Sequence, residues 1–194
     1  AICKKYNCEI IQNKFVNFSQ QRNFLIEKCK TEWILMIDAD ETINDELAKQ
    51  ILKINSDCEY SSFKIKRNNY FNNYKIKMFS PDYQHRLFSK SASPIWKGIV
   101  HNELFVKGKT GILQGNINHW SYRSVEHYIS KLVKESKKMA IKKINNGKKY
   151  NFIYLLFNCI WVFLKFYILK LGFLDGIYGL LFTVGMIFYK ILIQ

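Results

Sequence analysis

The sequence of 194 residues predicts an α/β fold, a mixed sheet flanked by helices, closed by an apolar helical hairpin at the C-terminus. Three observations carry that expectation. A stretch of helical periodicity, 20–30, runs straight into a short apolar segment, 33–37, that ends in Asp38-Ala39-Asp40-Glu41. Alternating strand patterns follow, with turn residues between them. Two nearly uninterrupted apolar segments, 152–171 and 177–193, then finish the chain. A composition of 48% hydrophobic and 16% aromatic residues excludes a disordered chain. The length supports one domain of ordinary size with appended elements.

In chain order, residues 1–5 read as the end of a helix and 8–11 as a strand. Ser19 is a suitable N-cap, because its hydroxyl can accept from an orphan backbone N–H. Phe24, Leu25, Ile26 and Cys29 then fall at helical spacing. The run from Trp33 to Ile37 suits a strand buried on both faces. Three carboxylates past the end of such a strand are costly to crowd together unless a cation sits among them. Ligands of open α/β sheets bind at this edge. Alternation would send Asp38 and Asp40 to the same side, where they could address one metal and its phosphate ligand. The plainer alternative is that Asp40, Glu41 and Asp45 decorate the start of the next helix, where the dipole favours negative charge.

That helix is expected over 44–54, capped by Asn44 or Thr42, with Leu47, Ile51 and Leu52 as its apolar stripe. Residues 60–67 alternate as a strand, Phe63 and Ile65 on one face. The Asn- and Tyr-rich segment 67–74 reads as a loop. A strand returns at 85–88, and 115–122 ends another before a helix that starts at Ser121 or Ser124. From Ser124 to Asn146 the pattern is an amphipathic helix, with Tyr128, Leu132, Val133, Met139, Ile141 and Ile144 apolar and the lysines outward. Lys142, Lys143, Lys148 and Lys149 form a basic collar just before the apolar tail. The organisation is therefore a sheet domain over 1–122, a basic helix over 123–150 and a membrane-associating hairpin over 151–194.

Each tail segment approaches the roughly 20 residues that cross a bilayer. Lys165 lies well inside the first, where hydrocarbon burial is costly unless the side chain snorkels. Helices lying in the interface, with Trp161 and tyrosines at headgroup depth, are favoured over spanning ones. The net charge of +15 calls for a polyanionic partner, a nucleic acid or an anionic membrane surface. Nucleic acid fits poorly, because the lysines spread over every element and no recognition motif is present. The five cysteines are an odd number without C-x-x-C spacing, which points to a reducing compartment.

The helix with Gln21-Arg22-Asn23, the buried strand and Asp38-Ala39-Asp40-Glu41 together resemble the family 2 glycosyltransferases of the GT-A fold. Within that family the chain resembles the bacterial branch that adds sugars to the lipopolysaccharide core. Arg86-Leu87-Phe88, Val100-His101-Asn102-Glu103, the His119-Trp120-Ser121-Tyr122 stretch and Gly172-Phe173-Leu174-Asp175-Gly176 extend the likeness over nearly the whole chain. The resemblance implies a divalent metal, Mn²⁺ or Mg²⁺, held by Asp40 with Asp38 and bridging the diphosphate of a nucleotide sugar, a UDP-sugar first. His101 and His119 compete to complete the metal's coordination. Arg22 and Asn23 would touch the nucleotide side. Glu103 is the candidate base and Asp82 its reserve, although Asn102 departs from the family's Val-His-Glu and a solvated strand-end Glu is the simpler alternative. The acceptor would be a lipid-linked glycan at the cytoplasmic face of the bacterial inner membrane. Family members begin with further strands, so the chain reads as an N-terminally truncated piece, inactive alone. A non-catalytic basic membrane protein is the competing reading.

Overall fold

The computed structural model describes residues 2–55, 57–98, 103–147, 149 and 151–194. His101, with Val100 and Asn102 of the family-like stretch, lies outside the described residues, as does Lys148 of the basic collar. The described elements are α1 (Ile2–Lys5), α2 (Phe18–Lys28), β1 (Trp33–Leu35), β2 (Glu41–Ile43), α3 (Asp45–Ile51), β3 (Tyr60–Phe71), β4 (Tyr74–Lys75) and β5 (Tyr83–Ser89). They continue with β6 (Ile95–Lys97), β7 (Glu103–Phe105), β8 (Lys109–Tyr122), α4 (Val125–Asn145), α5 (Phe152–Phe163) and α6 (Gly176–Leu192). The main sheet has the order β1-β5-β3-β8-β2, with β4 added to β3, and β6 and β7 form a separate ribbon. β3 and β8 run parallel and every other pairing is antiparallel, so the sheet is mixed.

Neighbouring residues of β5 face opposite cores, as strand alternation requires. Leu87 joins Leu47 of α3 against Phe63, Ile65, Leu113 and Ile117. Phe88 joins Ile26 of α2, Ile34 and Trp96. The helices thus sandwich the sheet, and the α/β expectation holds.

Several local expectations give way. The segment 8–11 pairs with no strand and is irregular. Asn17, not Ser19, caps α2 by accepting from the Gln20 N–H, while the Ser19 hydroxyl donates to the Gly98 carbonyl at 2.6 Å. β1 stops at Leu35 and ends the sheet, with Ile34 buried and its neighbours half-buried rather than both faces covered. The Asn- and Tyr-rich segment is not a loop. β3 carries on to Phe71 because β8 ladders along it on one side and β4 on the other, which overrides the poor strand propensity of Asn.

β8 bends where Gly115 adopts a φ of +86° and passes the start of α3 so closely that a Cβ would meet the Leu47 nitrogen at 2.7 Å. There Asn44 caps α3 by accepting from the Leu47 N–H and also accepts from the Asn116 N–H. One side chain ties helix to strand.

α4 is capped by Ser124 and buries Tyr128 and Ser136, but Val133, Ile141 and Ile144 are exposed. The expected apolar face is therefore narrower, since α4 meets α6 along one stripe only. Tyr128 packs with Phe182 of α6 against Phe71, Ile76 and Met78, so the sheet and the tail share a core. α5 continues through a π-helical stretch, Leu164–Leu169, to a 3-10 turn, Gly172–Asp175. The Asp175 carboxylate in that turn is buried, accepting from the Met78 N–H at 2.7 Å, the Lys77 N–H at 2.9 Å and the Tyr74 hydroxyl at 3.1 Å. By length and composition, Phe152–Leu169 and Gly172–Leu192 are each long and apolar enough to cross a membrane, and the first is nearly bare.

Asp175→Ala leaves the buried Met78 N–H and the part-buried Lys77 N–H without their acceptor and is expected to cost about 3 kcal/mol, whereas Asp175→Asn keeps an acceptor and costs less. Urea unfolding of the detergent-solubilised chain, monitored by tryptophan fluorescence, measures both; equal loss in the two variants would show that acceptance is not what matters.

Candidate active site

The acidic strand end is not a continuation of β1. Met36 still donates to the Arg86 carbonyl, but the chain then turns, and the Glu41 N–H closes the turn on the Asp38 carbonyl at 3.0 Å. That turn interrupts the strand alternation from which a shared direction for Asp38 and Asp40 was expected, and the two carboxylates take different nearest partners. Asp38 accepts from Nη2 of Arg86 at 2.8 Å, with Nη2 of Arg22 at 3.7 Å. Asp40 faces His119, its Oδ2 lying 3.4 Å from Nε2.

Glu41, the third carboxylate, is the buried one. Its side chain has no exposed surface and accepts from Nη2 of Arg86 at 2.5 Å and from the Asp38 N–H at 3.1 Å, with Nη1 of Arg67 at 3.5 Å. Arg67 also donates through Nε to Asp82 at 2.9 Å. Asp82 takes two more donors, Nδ2 of Asn69 at 3.0 Å and Nε2 of Gln84 at 2.5 Å. These contacts collect β3, β5 and the β1–β2 turn around one polar cluster.

Burial alone would raise both Asp38 and Asp82, but their partners outweigh it. Arg86, then Arg22, hold the Asp38 carboxyl below the usual carboxylate range. The Asn69 and Gln84 amides and the Arg67 charge do the same for Asp82. Burial, and then the positive charge of Arg67, push the His119 imidazole below its ordinary value against the pull of Asp40 and Glu41. The ring is therefore neutral near pH 7 and can act as a ligand or an acceptor.

Arg22 lies 4.3 Å above the Trp96 ring, which aims its guanidinium at Asp38. Asn23 is clamped: its Oδ1 accepts from the Trp96 N–H at 2.8 Å and its Nδ2 donates to the Trp96 carbonyl at 3.0 Å. Both ends of that amide serve the ribbon. Glu103 is exposed and opens β7 opposite Lys97, next to the pair that holds Trp96. The sequence reading thus named Asp38, Asp40, Asp82, Arg22 and His119, which the fold gathers at one edge. It counted Glu41 only within the acidic run and Arg86 and Ser121 only within the family-like stretches, and it gave Arg67 and Asn69 no part in the cluster. The i, i+2 spacing of Arg67 and Asn69 was the available signal, hidden by reading that segment as a loop.

Asp40 and His119, among the described residues, bring together one carboxylate oxygen and one imidazole nitrogen that could hold a divalent cation. Among the described residues no group of three or more His, Cys, Asp or Glu side chains is arranged as a metal cage.

A mixed sheet between helices, with an acidic turn at a strand end, is the GT-A architecture of nucleotide-sugar enzymes. Residues 1–106 match the domain described as Glycosyl transferase family 2, and the chain belongs to that family. It is similar to an uncharacterised glycosyltransferase of Rickettsia typhi, 28% identical over 205 residues that cover 98% of this chain and 70% of the relative. A Rickettsia prowazekii relative, also an uncharacterised glycosyltransferase, shows the same identity and coverage. A third, from Rickettsia felis, is 29% identical, covering 97% of this chain and 71% of the relative.

The depressed Asp82 carboxyl predicts a pH dependence. Its stabilisation is fully present above the unfolded value near 3.9 and is lost as pH falls through its lower folded value. Asp82→Asn is expected to flatten the fall in urea midpoint below about pH 4; an unchanged acid limb would contradict the assignment.

Proposed function

We propose that this glycosyltransferase moves a hexose, with inversion, from a nucleotide-diphosphate sugar, a UDP-sugar first, to a hydroxyl of a lipid-linked glycan such as a lipopolysaccharide core. The observation that carries the reading is the facing pair of Asp40 and His119 at an arginine-flanked strand end. One carboxylate oxygen and one neutral imidazole suit Mn²⁺ and tolerate Mg²⁺, with phosphate oxygens and water as the usual further ligands. A bound divalent cation would supply Lewis-acid stabilisation of the leaving diphosphate.

The chain's own residues do the rest. Arg22, fixed over Trp96, presents positive charge on the nucleotide side. Glu103 takes the proton of the acceptor hydroxyl as its oxygen bonds to the anomeric carbon and the bond to the diphosphate breaks. Asp82 is the poorer base, because three donors already occupy its oxygens. The bare apolar face of 152–169 and the lysines of α4 support attachment to the anionic cytoplasmic face of the inner membrane, lying in the interface rather than spanning. Confinement of enzyme and lipid-linked acceptor to one surface raises their effective concentration.

Calorimetry of UDP binding with and without Mn²⁺ tests the donor site. Binding should require Mn²⁺, and Asp40→Ala should weaken it by about a hundredfold, as loss of a metal ligand does. Binding indifferent to both metal and substitution would remove the site and favour a non-catalytic protein. Flotation with lipid vesicles tests the tail: the chain should float with vesicles containing phosphatidylglycerol, and Phe157→Glu with Trp161→Glu should weaken this about tenfold or more. Equal flotation of that variant would leave the exposed face without its assigned role.

A further inference from the structure

The hydrogen-bond chain behind His119 has a direction, and that direction decides which ring nitrogen faces the site. It begins at Asp82, whose carboxylate is held by Arg67. A carboxylate only accepts, so the group of Asn69 that lies 3.0 Å from Asp82 Oδ2 is its NH₂, as the donor Nδ2. The other end of the amide is then Oδ1, which only accepts. It lies 2.8 Å from Nδ1 of His119 and 3.2 Å from the Ser121 hydroxyl. Two acceptors cannot sit at 2.8 Å without a proton between them, so Nδ1 carries the hydrogen. Ser121 Oγ, 2.9 Å from the same nitrogen, donates its own hydrogen to Asn69. With the proton on Nδ1, a neutral ring has its lone pair on Nε2, the atom 3.4 Å from Asp40 Oδ2.

We infer that Asn69, oriented by Asp82, is a positioning residue that locks His119 in the Nδ1–H tautomer and aims a bare Nε2 beside the Asp40 carboxylate. Two acceptors brought face to face make a place for a positive ion, and a ligating imidazole commonly donates its other ring N–H to an acceptor behind it, a part that the Asn69 carbonyl oxygen can play. Burial of Asn69, which is 8% exposed, keeps water from competing for the Nδ1 hydrogen. The register sets the relay, because β3 and β8 run parallel with Asn69 directly opposite His119. Its use rests on the reading that Asp40 and His119 receive a divalent cation, whereas the tautomer itself does not.

The experiment uses the whole chain, metal-free and uniformly ¹⁵N-labelled, at about pH 8, where ordinary histidines are neutral. Long-range ¹H–¹⁵N spectra report the tautomer of His119, assigned by the loss of its signals in His119→Gln. The wild-type ring should be Nδ1–H. Asn69→Leu should shift it toward Nε2–H and weaken Mn²⁺ binding, read by electron paramagnetic resonance, by about 10–100-fold. Asp82→Asn, which leaves the Asn69 amide free to turn over, should give a mixture even if the leucine variant does not fold. Asn69→Asp, still an acceptor for Nδ1–H, should keep the wild-type tautomer. An Nε2–H ring in the wild type, or an Nδ1–H ring in both Asn69→Leu and Asp82→Asn, would overturn the proposal. A wild-type Nδ1–H ring that Asn69→Leu shifts, in a protein that binds no Mn²⁺, would support the relay and remove the cation reading alone.

Discussion

The buried ion pair of Glu41 and Arg86 is the interaction on which the acidic edge depends. A carboxylate with no exposed surface carries a desolvation penalty of several kcal/mol, offset only by close, well-directed donors. Arg86, itself 3% exposed, provides one from β5, and Arg67 provides a longer one from β3. Each guanidinium also reaches a second carboxylate, Asp38 for Arg86 and Asp82 for Arg67. The turn after β1 is thereby fixed to two strands that are distant in sequence. Asp40 follows a different course: among the described residues it contacts no arginine, and its near partner is the neutral His119. The cluster therefore leaves one carboxylate unneutralised, at the place where an incoming cation would meet it.

The parts of this arrangement that were legible in the sequence are those set by local pattern. The helix before β1, the acidic strand end, the start of α3 at Asn44 and the break at Gly172 all follow from periodicity and capping within a few residues. The partners of Asp38 and Asp40 were not legible, since the chain between them turns on a backbone hydrogen bond and the partners come from distant strands. The extent of β3 was hidden for a related reason. Arg67-Asn68-Asn69-Tyr70 has a composition suited to a loop, and its ladder partner is β8, some fifty residues later. A non-local pairing made strand of it, and with it made site residues of Arg67 and Asn69.

The tail is joined to this edge rather than appended to the chain. A hairpin that served only as an anchor would have no need of a buried carboxylate in its turn. Asp175 instead fixes the backbone of Lys77 and Met78, and Asp82 follows four residues later. Phe182 of α6 fills the space beneath Phe71, which ends the same strand that carries Arg67 and Asn69. The placement of the apolar helices and the placement of the polar cluster thus share a support.

The parallel pairing of β3 with β8 explains why the cluster forms where it does. Along one face of these two strands, Phe63 and Ile65 on β3 and Leu113 on β8 belong to the core under α3. Further along, past the register shift that falls at the Gly115 bend of β8, come Arg67 and Asn69 on β3, then Ile117, His119 and Ser121 on β8. Ile117 closes the apolar part opposite Arg67, and His119 opens the polar part opposite Asn69. Because the strands run in the same direction, both change from apolar to polar toward the same edge, and β2 brings Glu41 against His119 there. In an antiparallel pair, the polar end of one strand would lie against the apolar end of the other, and each buried polar group would lack a partner. The site is thus the polar stretch of this strand pair, set between the core under α3 and the core that Phe71 and Tyr122 share with α6.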